Sequence, residues 1–171
     1  MYVQLERIII FNFKSFRGKV VIGPIKSFTA IIGANGSGKS NIMDAISFVM
    51  GEKAKKLRVN QLSELIYGAS TGTPLFNRAH VTAIFIFEDN TNKTFTRSIY
   101  NTSCEYKIND EVVTAEHYIL ELGKLNLNVK AKHFLIFQGA IDSTIMKTPK
   151  EYTHIFEEIS NSIELKGEYE R

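Results

Sequence analysis

Apolar and polar positions along the chain follow two alternating rhythms. Val3 to Phe13 contains Leu5, Ile8, Ile9, Ile10, Phe11 and Phe13, dense in β-branched and aromatic residues, which predicts a strand. Lys14 to Gly18 reads as a turn, Lys19 to Ile22 as the return strand of a hairpin, and Gly23-Pro24 as the next break. Phe28-Thr29-Ala30-Ile31-Ile32 reads as a short buried strand. Ile42, Met43, Ile46, Val49 and Met50 then recur at helical spacing, with Gly51 as the C-terminal cap. Leu62, Leu65 and Ile66 suggest a short helix ending at Gly68, followed by a loop through Pro74.

Beyond Ala79 the rhythm becomes that of strands: Val81 to Phe87, Thr94 to Tyr100, Glu105 to Ile108, and Val112-Val113. Short turns between them imply an antiparallel meander. Glu116 to Leu125 places Tyr118, Ile119, Leu122 and Leu125 in helical register. Phe134-Leu135-Ile136-Phe137 reads as another buried strand, with Gln138 at its carboxyl end, where α/β folds meet ligands. Thr148-Pro149-Lys150-Glu151 is a capping box with proline at the first helical position, opening a helix whose apolar face is Tyr152, Ile155, Phe156, Ile159 and Ile163. Charge takes over from Glu164, and the absence of a C-cap gives the look of a helix cut mid-course. The expected class is α/β, with residues 1–148 forming one lobe and residues 149–171 a separate helix.

One stretch carries chemistry. Gly33-Ala34-Asn35-Gly36-Ser37-Gly38-Lys39-Ser40 fits G-x-x-x-x-G-K-[ST], and it lies between the strand expected at Phe28 to Ile32 and the following helix. The glycines let successive N–H groups turn inward as an anion nest, and the helix N-terminus adds its positive dipole end. Lys39 can reach the β- and γ-phosphates of a nucleotide, and Ser40 can put its hydroxyl on Mg²⁺. A dinucleotide fingerprint needs G-x-G-x-x-G and does not fit.

Composition narrows the field further. A chain of 171 residues can bury roughly 70% of its unfolded surface, enough for one core. Its 44% hydrophobic and 23% charged residues are those of an ordinary globular protein. With no apolar run long enough to cross a membrane and no signal-peptide layout at Met1 to Arg7, the expected location is cytosol or nucleus, away from membranes. Net charge is only +3, so any nucleic-acid contact must come from a local patch; the four basic residues between Glu52 and Arg58 read on composition as a solvated loop, and their place just beyond the helix keeps a functional reading open. Cys104 has no cysteine to pair with, and His80, His117, His133 and His154 lack metal-ligand spacing, so no zinc site is expected. Ala83 to Asp89 superficially resembles a Walker B strand, but its acids come as Glu88-Asp89 and a turn follows at once. Asn92-Lys93-Thr94-Phe95 lacks the final acid of a guanine reader.

The ordered set of motifs resembles the N-terminal half of an SMC (structural maintenance of chromosomes) ATPase head, an ABC-type P-loop ATPase. It comprises Phe11 to Phe16, Gly33 to Ser40, Met43 to Val49, Gly51-Glu52-Lys53, Ser103 to Asn109, Phe134 to Gly139 and Phe156 to Ser160. Within the family the pattern is most similar to the first SMC subunit of cohesin. The resemblance implies ATP with Mg²⁺ as cofactors, bound by Lys14, Ser15, Asn35, Gly36, Ser37, Gly38, Lys39, Ser40, Asn41 and Arg58. Lys14, Ser15 and Phe16 would lie at adenine and ribose. Lys39 and Gln138 would serve catalysis, Ser40 and Gln138 the magnesium, and Arg58 would be the R-loop arginine that couples DNA to turnover.

The signature motif, Walker B strand and catalytic glutamate would come from the C-terminal half of the same head, beyond a coiled coil rooted in the last helix. A second SMC head, a kleisin subunit and DNA are the other implied partners, on chromosomes in the nucleus. Condensin and Rad50/RecN-type repair ATPases share the phosphate loop. Outside the ATPases, a DNA-binding scaffold with a vestigial nucleotide site is the competing reading.

Overall fold

The computed structural model describes residues 3–69, 75–125, 148–160, 162–165 and 167. The chain divides into two compact units, Met1–Leu127 and Asn128–Arg171.

The first unit is built on a six-stranded antiparallel sheet: β1 (Val3–Phe13), β2 (Phe16–Ile22), β3 (Arg78–Phe87), β4 (Asn92–Tyr100), β5 (Ser103–Ile108) and β6 (Glu111–Val113). Its spatial order is β2-β1-β3-β4-β5-β6, so the hairpin β1-β2 and the meander β3 to β6 join through the β1-β3 pair, with Ile8 opposite Ala83 and Ile10 opposite Val81. Period-two alternation sends Ile8, Ile10, Val81, Ala83, Phe85, Phe95 and Ile99 to one buried face. The opposite face is more polar, with the Thr82 and Thr96 hydroxyls 2.8 Å apart and His80 stacked on Phe11.

Two helices cover the apolar face. Helix α1 (Lys39–Val49) packs across β3, β4 and β1, and α2 (Ala115–Lys124), N-capped by the Thr114 hydroxyl, packs against β5. Phe48 sits against Phe13, while the fully buried Tyr118 meets Phe95 edge-on and donates its hydroxyl proton to the Val49 carbonyl at 2.7 Å. Burial holds the Tyr118 hydroxyl far above its ordinary pKa, so it stays a donor. Helix α1 ends in a Schellman motif. Gly51 takes φ +91°, its N–H bonding the Phe48 carbonyl at 3.0 Å while the Glu52 N–H bonds the Ser47 carbonyl at 3.1 Å.

In this unit Phe16 to Gly18 belong to β2 rather than to the expected turn, and two further expectations are corrected. Phe28 to Ile32 is not a strand. Phe28 and Ile32 are 89% and 92% exposed, and none of the described strands lies alongside to complete a ladder, since the sheet's edges are β2 and β6. Second, α1 buries Asp44, Ala45, Ser47, Phe48 and Val49, rotated from the expected stripe, which leaves Ile42, Met43 and Ile46 half-buried.

In the second unit, α3 (Pro149–Ile159) opens as predicted, with the Glu151 carboxylate accepting the Thr148 N–H at 2.8 Å. The α-helix does not continue to Ile163. The Ser160 hydroxyl turns back to the Phe156 carbonyl at 2.7 Å, and Ser162–Leu165 forms a 3₁₀ turn. The strand expected at Phe134 to Phe137 and the loop expected around Ser70 to Pro74 lie outside the described residues.

Candidate nucleotide site

The glycine-rich loop enters α1 through backbone shapes that side chains resist. Gly36 and Gly38 take φ +81° and +96°, and Gly38 is the residue preceding the helix. A Cβ at Gly38 would also sit 3.1 Å from the Ser15 hydroxyl and 3.4 Å from the Phe16 ring, because the β1-β2 turn packs directly on the loop. Asn41 extends that contact, its amide donating to the Ser15 hydroxyl at 2.8 Å. The Lys39 ammonium lies along the loop, donating to the Gly33 and Ala34 carbonyls at 2.6 and 2.7 Å. A cation thus stands beside a helix N-terminus, two positive elements facing the same concave loop.

The Lys14 ammonium donates to Asp44 Oδ2 at 2.5 Å and to the Leu57 carbonyl at 2.9 Å. Arg58, at φ +60°, donates through Nη2 to the same Asp44 oxygen and lies 3.4 Å from the Ser40 carbonyl. The structure therefore brings Lys14, Ser15, the loop through Asn41 and Arg58 into one neighbourhood. Gln138 lies outside the described residues.

The residues present fit a magnesium nucleotide. The positive φ of Gly36 and Gly38 turns the backbone as an anion nest requires, and Ser40 stands in the first turn beside Lys39. Among the described residues no cluster of three His, Cys, Asp or Glu could hold a metal by itself. A magnesium bound mainly through phosphates and water needs none.

Sequence reasoning missed the roles of Asp44 and Arg97. Arg97, 4% exposed in β4, donates Nη1 to the Phe48 and Glu52 carbonyls at 2.9 and 2.8 Å and so fastens the far end of α1 to the sheet. A buried charge in a strand otherwise reading as alternating was the available signal. The polar sheet face holds a separate depression of about 220 Å³, where Arg78 and Lys107 are offset by Glu105 and Asp110. Burial, then the neighbouring Arg78, Lys107 and Lys19, hold His80 there below its ordinary pKa.

Residues 4–131 match the family model described as the RecF/RecN/SMC N terminal domain. The chain belongs to that family. It is 53% identical over 167 residues to the mouse structural maintenance of chromosomes protein 1B, an alignment covering 98% of this chain and 13% of the relative. Among solved structures, it superposes with a TM-score of 0.81 at 34% identity on a chain from work on ATP-driven dimerization and DNA-stimulated activation of SMC ATPases, covering 91% of this chain and 98% of that one. It also matches an SMC head bound to the C-winged helix domain of ScpA, with a TM-score of 0.82 and 33% identity, covering 96% of this chain and 53% of that one. The fold is thus that of the N-terminal half of an SMC head, and the chain spans about an eighth of the length of its SMC relatives.

Proposed function

We propose that this chain is the phosphate-binding half of an SMC ATPase head, which binds ATP with Mg²⁺ and hydrolyses it once completed by a C-terminal half and engaged with a second head. The observation that carries this reading is the loop Gly33 to Ser40 opening α1 with Lys39 lying along it, in a chain of SMC family. Lys39 exchanges two carbonyl partners for phosphate oxygens, a stronger charge-assisted bond. Backbone N–H groups of Gly36 to Ser40 hold the phosphates, and Ser15 with Asn41 walls the nucleoside side. Ser40 and Gln138 would hold the magnesium, which when bound neutralises phosphate charge and fixes the in-line geometry of transfer to water. Gln138 would also orient the attacking water.

Phe28, Ile31 and Ile32 are exposed and Ile42, Met43 and Ile46 of α1 half-buried, apolar side chains that suit a C-terminal half supplying the signature motif, Walker B acid and catalytic glutamate. A second SMC head would close over the γ-phosphate. The higher-order role we assign is that of cohesin's first SMC subunit, working with a kleisin and DNA on chromosomes in the nucleus. The helix from Pro149 would root its coiled coil. In support, a related head is bound to a ScpA domain, and the relative at 53% identity is a type 1B SMC protein.

The test joins this chain to a C-terminal head half through a short linker and measures ATP binding and turnover beside Lys39→Ala and Gln138→Ala. Turnover confined to the joined form, rising with protein concentration and lost in both variants, supports the reading. A joined form indifferent to Lys39→Ala would sink it in favour of a scaffold.

A further inference from the structure

We infer that Asp44 is a positioning residue for nucleotide binding, fixing Lys14 and Arg58 together at the rim of the phosphate loop; this rests on the ATP-site reading above. Asp44 lies one helical turn after Ser40 and is fully buried. Its Oδ2 accepts from both Lys14 and Arg58, while Oδ1 is buried without a partner among the described residues. A lone buried carboxylate would be unfavourable, and two cations sharing one oxygen would repel each other without it. Together the three carry one net positive charge.

The arrangement closes a ring. Lys14 also holds the carbonyl of Leu57, the residue before Arg58, and Arg58 lies against the carbonyl of Ser40. Both cationic residues sit in the left-handed region, at φ +49° and +60°, a backbone state that long side chains adopt only when tertiary contacts hold them there. The side chain of Arg58 is 55% exposed, so its position depends on its anchor. Lys14 begins the turn whose next two residues pack on Gly38. Asp44 itself would repel phosphate and is shielded from it. Its effect on the ligand is carried by the two cations and the turn.

The experiment uses the joined head and measures the affinity of a fluorescent ATP analogue for Asp44→Asn, Arg58→Ala, the double variant and Lys39→Ala, with kcat at saturating ATP. Asp44→Asn and Arg58→Ala should each weaken binding about tenfold and the double variant no further than that, a coupling of about 1.4 kcal/mol. The loss should fall on KM, with kcat within about twofold. An additive, roughly hundredfold loss in the double variant, or wild-type affinity in Asp44→Asn, would overturn the inference. If Asp44→Asn does not fold, Lys14→Met with Arg58→Ala decides: sub-additive losses support a shared anchor, and additive losses overturn it. Unchanged affinity in Lys39→Ala would overturn the nucleotide-site reading itself, and this inference with it.

Discussion

Replacing Arg97 tests whether the nucleotide helix is held from its far end. The side chain rises from β4 into the core, and its Nη1 meets the Phe48 and Glu52 carbonyls at the C-terminal end of α1, where the helix dipole is negative. The guanidinium carbon lies 4.3 Å from the centre of the Phe48 ring and 5.2 Å from that of Tyr106. Arg97→Met keeps comparable length and removes all four contacts. Hydrogen bonds from a charged donor contribute about 1.5–3 kcal/mol each, and desolvated cation–π contacts about 2 kcal/mol each, for a gross loss of about 7–10 kcal/mol.

Opposing terms are substantial. Methionine relieves the several kcal/mol spent desolvating a guanidinium whose Nε has no partner among the described residues, and the Phe48 carbonyl keeps the Gly51 N–H at 3.0 Å. The net expectation is a destabilisation of about 2–3 kcal/mol, or a Tm lower by about 4–12 °C for a chain of this size. Arg97→Lys retains the charge but not the fork, and should fall between. Urea and thermal denaturation followed by circular dichroism measure both. An Arg97→Met chain as stable as the parent would mean that the buried charge contributes nothing net, and that apolar packing alone docks α1 on the sheet.

Three further outcomes are expected. Gly51→Ala should cost about 1–2 kcal/mol for its left-handed backbone. Its Cβ would also overlap Ile119 Cδ1, so adding Ile119→Val should recover the overlap alone, and fully additive denaturation energies would contradict the close approach. Glu121, hydrogen-bonded by Lys124 and Lys93, has its pKa lowered to about 2. Its folded pKa lies below the unfolded value, so its contribution is full above about 4.5 and lost as pH falls from there toward about 2, and Glu121→Gln should flatten the dependence of the urea midpoint on pH across that window. Phe28→Ser with Ile32→Ser should leave the stability of the chain itself within about 0.5 kcal/mol, since both side chains are exposed, yet abolish calorimetrically measured association with a C-terminal head half.

What the sequence disclosed follows from the range over which each feature is encoded. The meander was legible because period-two alternation in β3 and β4 sorts side chains residue by residue, and the phosphate loop because eight consecutive residues define it. The Asp44 cluster was not, since its partners stand 30 and 14 residues away and only the fold reveals that Lys14 and Arg58 share one oxygen. Arg97 was hidden for the same reason: its carbonyl partners lie 49 and 45 residues earlier. Phe28 to Ile32 is the instructive failure. Its residues have strand character, but a strand forms only where a neighbour accepts its hydrogen bonds, and none of the described strands offers an edge there. Helix α1 carries a similar surplus, with Ile42, Met43 and Ile46 apolar on a side the described elements cover only partly. Both surpluses adjoin Gly33 to Ser40, one on each side in sequence. Apolar residues kept exposed immediately around a phosphate loop are a standing aggregation risk unless a partner covers them, so the segment that completes this site should bind here, against the loop, rather than elsewhere on the sheet.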